Sequence, residues 1–187
     1  MIIVATGNEH KFWEIALTLK EFGIEAEQRR IDIKEGRYET LEEIAIDKAR
    51  QAFEQIKQPL IVDDTGVFFK AYNNFPGPFP KYVFNSLGFS GIMQLLENKD
   101  RSAYFKSLIC FIDENGHKVF EGRLNGRITL NVHECERLSL PYERIFVPEN
   151  NVKPLSLLSL EEKIKFSHRA EAVRKFAEFY NQMKKDK

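Results

Sequence analysis

Cysteine is nearly absent: the 187 residues hold only Cys110 and Cys135, far apart and at no metal-binding spacing. That argues against a disulfide framework or a thiolate metal cluster, and reads as reduced thiols in a cytoplasmic protein. Net charge is absent too, with 28 basic residues set against 28 acidic ones. A chain with no basic excess and no basic stripe is not expected to act on nucleic acid, although a local anion site stays open. No window comes near the run of about 20 apolar residues that a membrane-crossing helix needs. Met1-Ile2-Ile3-Val4-Ala5 is apolar but short and has no basic flank, so neither a secretory leader nor a membrane partner is expected. Long-period repeats and low-complexity tracts are also missing. What remains is one compact unit, long enough for a sizeable domain or for two small lobes sharing a core.

The stretch around which the chain is organised is Leu60-Ile61-Val62-Asp63-Asp64-Thr65-Gly66. Three apolar residues without alternation suit a strand buried on both faces. Two carboxylates at its C-terminal end fall where open α/β sheets place ligands, and Thr65-Gly66 predicts a sharp turn there. Adjacent aspartates repel unless a cation neutralises them, and hard oxygen ligands favour magnesium or manganese. The alternative at this point is an ordinary strand-end turn with solvated aspartates.

Before it, Met1 to Ala5 predicts a buried strand ending in Thr6-Gly7-Asn8. Phe12, Ile15, Ala16, Leu19 and Phe22 then recur at helical offsets, so a helix starts near Asn8, a good N-cap. Strand, glycine turn and helix N-terminus together make an anion site. Lys11 lies in the first turn, against the helix dipole, and gains most if an anion sits between it and the exposed N–H groups. A solvated lysine balanced by Glu9 and Glu14 is the plainer alternative. Glu25 to Ile33 predicts a second, partly exposed strand. Thr40-Leu41-Glu42-Glu43 is a capping box opening a helix that carries Lys48 and ends at Gln58-Pro59.

Beyond the paired aspartates, Asn73 to Pro80 is dense in proline and stiff, which suits a loop that must hold Lys81. Short helices are expected from Lys81 and from Phe89 to Glu97. Ala103 to Ile112 and Lys118 to Val132 form two β-rich runs joined at Asp113-Glu114-Asn115-Gly116, a hairpin signal that makes the sheet mixed. Pro141 to Val147 reads as a turn into a short strand. Ser159-Leu160-Glu161-Glu162 is a second capping box, followed by Lys163. Ser167 caps the last helix, whose apolar stripe is Val173, Phe176, Ala177 and Tyr180 and whose first turn carries His168 and Arg169. Two cation-bearing helix starts beside a carboxylate pair suggest a polyphosphate bound through basic groups and a carboxylate-held metal.

Ala5-Thr6-Gly7-Asn8-Glu9-His10-Lys11, Asp63-Asp64-Thr65-Gly66, Phe75-Pro76-Gly77-Pro78, Gly126-Arg127-Ile128 and Glu162-Lys163 with Ser167-His168-Arg169 stand in the order found in one family. Nearly the whole chain resembles the inosine triphosphate pyrophosphatases, the Ham1-like house-cleaning nucleotidases, in their archaeal form. The resemblance implies an α/β fold with an elongated mixed β-sheet, flanking helices and two lobes around a central cleft, as a single domain over residues 1–187 and as a homodimer. It implies magnesium-dependent hydrolysis of inosine and xanthosine triphosphates and their deoxy forms to the monophosphate and pyrophosphate. Carried over by position, Thr6, Gly7, Asn8 and Lys11 hold phosphate. Glu35 and Asp64 hold metal, Asp64 and Lys11 act in catalysis, and Thr65 lies against the substrate. Lys48 and Lys81 are cleft lysines, and Lys163, His168 and Arg169 are base-side and phosphate-side residues. Asp63 is a metal or supporting carboxylate of open role.

Two segments depart from the family pattern. Where the family reads Gly-Phe-Gly-Tyr/Trp-Asp-Pro, this chain has Ser139-Leu140-Pro141-Tyr142-Glu143-Arg144. The stacking Phe is Leu140 and the base-contacting Asp is Glu143, leaving Tyr142 and Glu143 as the base-side candidates. The family's Pro-Arg-Gly is replaced by Asn131 to Glu136, and its Ala-Glu by Ser156-Leu157. Losing an aromatic stack removes on the order of 1 kcal/mol of base affinity, so an altered or relaxed base preference is expected. A pyrophosphatase for another modified base and a nucleotide binder without turnover are the competing readings.

Overall fold

The computed structural model describes residues 1–34, 36, 38–134 and 139–185. Its elements run β1 (Ile2–Ala5), α1 (Glu9–Lys20), β2 (Ala26–Arg29), α2 (Leu41–Ile56), β3 (Leu60–Phe69), β4 (Phe75–Gly77), α3 (Pro80–Leu95), β5 (Ser102–Asp113), β6 (Gly116–Ile128), β7 (Phe146–Pro148), α4 (Leu160–Ile164) and α5 (His168–Lys185). The strands form one sheet in the order β2-β1-β3-β5-β6-β7, with β4 added to the edge of β3. β1 pairs in parallel with β2 and β3, and every other pairing is antiparallel.

Side-chain alternation sorts the central strands between two helix layers. Ile2, Val4, Ile61, Ile109 and Phe111 point toward α1 and α5, where they meet Phe12, Ile15, Leu19, Val173, Phe176 and Ala177. Ile3, Ala5, Leu60, Val62, Leu108 and Cys110 point the other way, onto the alanine face of α2, Ala45, Ala49 and Ala52. Helices on both faces are why these strands read as continuous apolar runs. A separate core gathers at the far end of the sheet, where Val67, Phe69, Phe105, Leu124 and Phe146 pack with Ile92 and Leu96. The two lobes part along β3, between Ile61, where pairing with β1 stops, and Val67, where pairing with β4 begins.

Both capping boxes form, at Thr40 with Glu43 and at Ser159 with Glu162, and Asn8 caps α1. Three expectations need correction. β3 does not turn at Thr65-Gly66; it continues to Phe69 because β5 supplies an unbroken ladder, Asp63 opposite Ile109 and Gly66 opposite Lys106. Glycine is needed at 66 for closeness, since a Cβ there would lie 2.7 Å from the Gly77 carbonyl oxygen of β4. β2 is only Ala26–Arg29, for β1 gives it just four partners. The second hairpin strand stops at Ile128, the last residue paired with β7. The two helices expected after Pro80 are both present: Gly88, with φ 61° and ψ −171°, breaks the stretch Pro80–Leu95 between them.

α5 crosses β6 at a position that only glycine fits. A Cβ at Gly122 would stand 1.9 Å from the His168 carbonyl oxygen and 2.6 Å from the Ala172 nitrogen, both backbone atoms that cannot swing away. Gly122→Ala should therefore lower stability by about 3 kcal/mol. Urea unfolding with an unchanged slope and a lower midpoint is the expected result; an unchanged midpoint would contradict this packing.

Candidate active site

The open edge of β3 collects the polar residues singled out by sequence. β1 delivers Thr6, Gly7 and Asn8 to it. The Asn8 N–H bonds to the Thr6 hydroxyl at 3.1 Å, and the Asn8 side chain accepts from the Lys11 N–H at 3.2 Å. The Lys11 side chain then reaches out of its helix to Asp63, with Nζ 2.8 Å from Oδ2 and 3.4 Å from the backbone carbonyl. This contact, rather than solvent, is how a lysine is tolerated in the first turn of α1.

Strand alternation sends the two aspartates to opposite faces. Asp63 is buried with both oxygens taken: Ser107 donates to Oδ1, while Lys11, Arg169 Nε (3.3 Å) and the Thr65 hydroxyl (3.2 Å) converge on Oδ2. Burial opposes its charge, but Arg169 and Lys11 overcome that and hold its pKa far below the usual carboxylate range. Asp64 faces α2, and Lys48 Nζ donates to its Oδ1 at 2.9 Å. Here burial wins over the partial compensation from Lys11 and Lys48, and the pKa is raised. The residue pair that looks equivalent in sequence therefore splits into a neutralised anchor and an under-compensated carboxylate.

Behind Asp63 lies a residue that the sequence reading treated only as a charge balance. Glu14, one turn along α1 from Lys11, is buried and accepts from the Ser167 hydroxyl and from Arg169 Nη1. Burial works against its ionisation, but Arg169 together with the Ser167 hydrogen bond and nearby positive charge outweighs burial, so its pKa is lowered. Arg169 is among the most buried side chains of the molecule; Nη2 also donates to the Thr65 hydroxyl at 3.1 Å. Ser107, in the middle of an apolar strand, also went unremarked. The available signal was the i,i+3 spacing of Glu14 from Lys11, which puts both on one helix face.

At the start of α5 the expected pair of cations is corrected. His168 is buried against the Phe105 ring, 4.9 Å between centroids and 22° from parallel. Burial, aided by Arg169, lowers its pKa to about 3, so the ring is neutral. Neither ring nitrogen has a hydrogen-bond partner among the described residues. The charge of Arg169 is balanced by Glu14 and Asp63 rather than left free. Earlier in the chain, Lys163 Nζ lies 2.7 Å from a Glu143 oxygen, and Tyr142 is buried with its hydroxyl unpartnered among the described residues.

A buried neutral histidine makes stability depend on pH in a window of its own. The unfolded ring takes a proton near pH 6.5 and the folded ring only near pH 3. Between those values the unfolded state binds more protons, so stability falls as pH falls, by up to about 1.4 kcal/mol per pH unit. The lowered carboxyls of Glu14 and Asp63 add their loss only below their ordinary, unfolded range near pH 4. His168→Phe should flatten the decline between pH 6.5 and 4.5 and leave the steeper loss below it, as read by thermal melts across that range. A variant melting in parallel with the wild type would contradict the neutral assignment.

The same residues that meet at the β3 edge are those of the recurring sequence motifs, and a model of the Ham1 family matches residues 2–179. The chain belongs to the Ham1 family. It is 43% identical over 177 residues to a dITP/XTP pyrophosphatase of Saccharolobus solfataricus, covering 94% of this chain and 91% of that protein. It is 40% identical over 181 residues to a dITP/XTP pyrophosphatase of Methanopyrus kandleri, covering 96% and 95%. Among solved structures, a HAM1 protein from Coxiella burnetii superposes with a TM-score of 0.79 at 26% identity, covering 97% of this chain and 98% of that one. Of the positions carried over from the Ham1 pattern, Thr6, Asn8, Lys11, Lys48, Asp64, Thr65 and Arg169 assemble around β3, with Lys163 and Glu143 beside them. Lys81 is exposed at the start of α3. Glu35 lies outside the described residues.

Proposed function

We propose that this protein hydrolyses non-standard purine nucleoside triphosphates, of the inosine and xanthosine type, to the monophosphate and pyrophosphate, clearing the cytoplasmic nucleotide pool. The observation that carries this is the split of the aspartate pair. One carboxylate is fixed by Lys11 and Arg169 as scaffold, while its neighbour keeps an oxygen that accepts no hydrogen bond among the described residues. A protein that only bound nucleotide would not need that second carboxylate.

Pyrophosphatases of this family are metal-dependent. The donor set fits a hard divalent ion, magnesium or manganese. Among the described residues no three His, Cys, Asp or Glu side chains converge. The ion would therefore rest on Asp64, on Glu35 and on the phosphate oxygens themselves, as magnesium commonly does. When bound, it neutralises phosphate charge and acidifies a coordinated water. The protein's own part is placement. Lys11 and Lys48 meet the phosphate chain, and the turn Thr6-Gly7-Asn8 offers N–H groups at the start of α1. Asp64, its basicity raised by burial, takes the proton of the attacking water as the bond between the α- and β-phosphates breaks. Phosphoryl transfer asks for little else from side chains. The base lies toward Tyr142, Glu143, Lys163 and His168, with base preference altered by Leu140 and Glu143.

Two further assignments belong to this reading. No described helix is long and apolar enough to cross a membrane. Phe75 (40% exposed), Phe79 (44%), Tyr82 (73%) and Leu87 (42%) run from β4 into the first half of α3, an apolar patch with Lys81 beside it that supports a homodimer.

The test is pyrophosphate release from inosine, xanthosine, guanosine, adenosine and uridine triphosphates with magnesium. Release from the inosine and xanthosine compounds is expected, with guanosine triphosphate cleaved more readily than a site with a stacking Phe would allow. Tight binding without release from any of them would replace hydrolysis by nucleotide binding.

A further inference from the structure

The turn Thr6-Gly7-Asn8 is held from behind by β2. The β1–β2 ladder advances in twos: the Ile2 N–H donates to the Glu25 carbonyl at 2.8 Å, and the Thr6 N–H donates to the Arg29 carbonyl at 3.0 Å. The backbone groups of Thr6 therefore point toward β2. In this register the Thr6 carbonyl would next accept from the Ile31 N–H, but β2 ends at Arg29. A side chain stands in for the missing strand. The half-buried Gln28 donates its Nε2 to the Thr6 carbonyl at 3.1 Å.

This bond fixes the peptide that joins Thr6 to Gly7. The peptide is trans, so its C=O and N–H point in opposite directions. With the carbonyl held toward β2, the Gly7 N–H faces across β1 toward β3, whose edge is bare between Ile61 and Val67. The Thr6 and Asn8 N–H groups are taken inside the protein, by the Arg29 carbonyl and by the Thr6 hydroxyl. The Gly7 N–H has no partner among the described residues. Gly7 itself cannot hold that direction: it has no side chain, and a Cβ there would meet nothing within 4 Å beyond its chain neighbours.

We infer that Gln28 is a positioning residue of the phosphate site, keeping the Thr6–Gly7 peptide turned so that the Gly7 N–H points into the cleft. This rests on the triphosphate reading of the site. Without the amide donor, the Thr6 carbonyl regains a partner only by rotating toward water, and the Gly7 N–H rotates out of the cleft with it. The Arg30–Glu9 ion pair also links β2 to the start of α1, but both side chains are largely exposed, so it cannot take over the restraint. Gln28 touches no substrate itself; it acts through the backbone two residues beyond its partner Val4.

The test is Gln28→Met, which keeps the length of the side chain and removes the donor. The KM for inosine triphosphate should rise about 10-fold, the worth of one oriented hydrogen bond, with kcat and the melting temperature changed far less. Inhibition by inosine, which carries no phosphate, should be the same in both proteins. In isotope-labelled protein, the Gly7 amide resonance should shift when pyrophosphate is added to the wild type and move much less in Gln28→Met. A variant with the wild-type KM overturns the inference. So does a Gly7 amide that answers pyrophosphate alike in both proteins. A variant that binds inosine and pyrophosphate equally worse overturns it too, since that is general damage to the fold. The wild type is assayed in parallel with inosine triphosphate: no pyrophosphate there would sink the hydrolase reading itself, whereas an active wild type beside an indifferent variant sinks only this proposal.

Discussion

Asp64→Asn should reduce pyrophosphate release from inosine triphosphate by about 10³-fold, within the range for removing a positioned general base, while the protein melts no lower than the wild type. The substitution is isosteric and removes only charge. That charge is under-compensated in the free protein, since burial outweighs Lys48 and the carboxyl is raised in pKa. Its partner Lys48 keeps a side chain that is 21% exposed and can turn to solvent. Stability therefore loses little, or gains. Asp63→Asn is the informative contrast. It removes the shared partner of Lys11, Thr65 and the buried Arg169 and Ser107, and should lower both stability and activity. Activity assays beside thermal melts of both variants separate the roles. If Asp64→Asn keeps most of its activity, the assignment of the two carboxylates is reversed or the base lies elsewhere.

Glu14→Ala should destabilise the fold by about 3–5 kcal/mol, the cost of leaving one member of a buried ion pair without its partner. Arg169 is 1% exposed and shares its guanidinium between Glu14 and Asp63, so solvent cannot replace the lost carboxylate. Ser167 loses its acceptor at the same time, and that hydroxyl also caps α5 by accepting from the Ala170 N–H at 3.1 Å. For a chain of this length the loss corresponds to a drop on the order of 10 °C in melting temperature. Glu14→Gln, which keeps a hydrogen-bonding group, should fall between the two. The double change Glu14→Leu with Arg169→Met should not recover the stability, because Arg169 also neutralises the buried Asp63, which would then lose its guanidinium partner. Melting temperatures of the three variants decide it; a Glu14→Ala protein that melts like the wild type would mean that the charge of Arg169 finds its balance without α1.

Much of this could be read from local pattern. The capping boxes at Thr40 and Ser159, the Asn8 cap and the apolar stripes of α1, α2 and α5 depend on residues within a turn or two of each other, so spacing alone locates them. The hairpin at Asp113 to Gly116 is equally local. Motif order pointed to the Ham1 family and to Lys11, Lys48, Asp64 and Thr65 as neighbours, and these four do lie along or against the middle of β3.

Tertiary structure decided what each of them does. A strand's alternation says that Asp63 and Asp64 face opposite ways, but only the arrival of Arg169 from more than a hundred residues away makes one an anchor. His168 looked like a cation because helix starts are read as exposed; packed on Phe105, it cannot hold a proton at neutral pH. Glu14 read only as a charge balance and Ser107 did not stand out, because a lone polar residue in an apolar stripe reads as noise until its partner from another element is in place. The turn expected at Gly66 failed for the same reason: β5, not the local sequence, carries β3 onward. Local sequence set where helices and strands begin, through capping and periodicity. Charge state, burial and the open edge of β3 were set by contacts between segments far apart in the chain, which no short window contains.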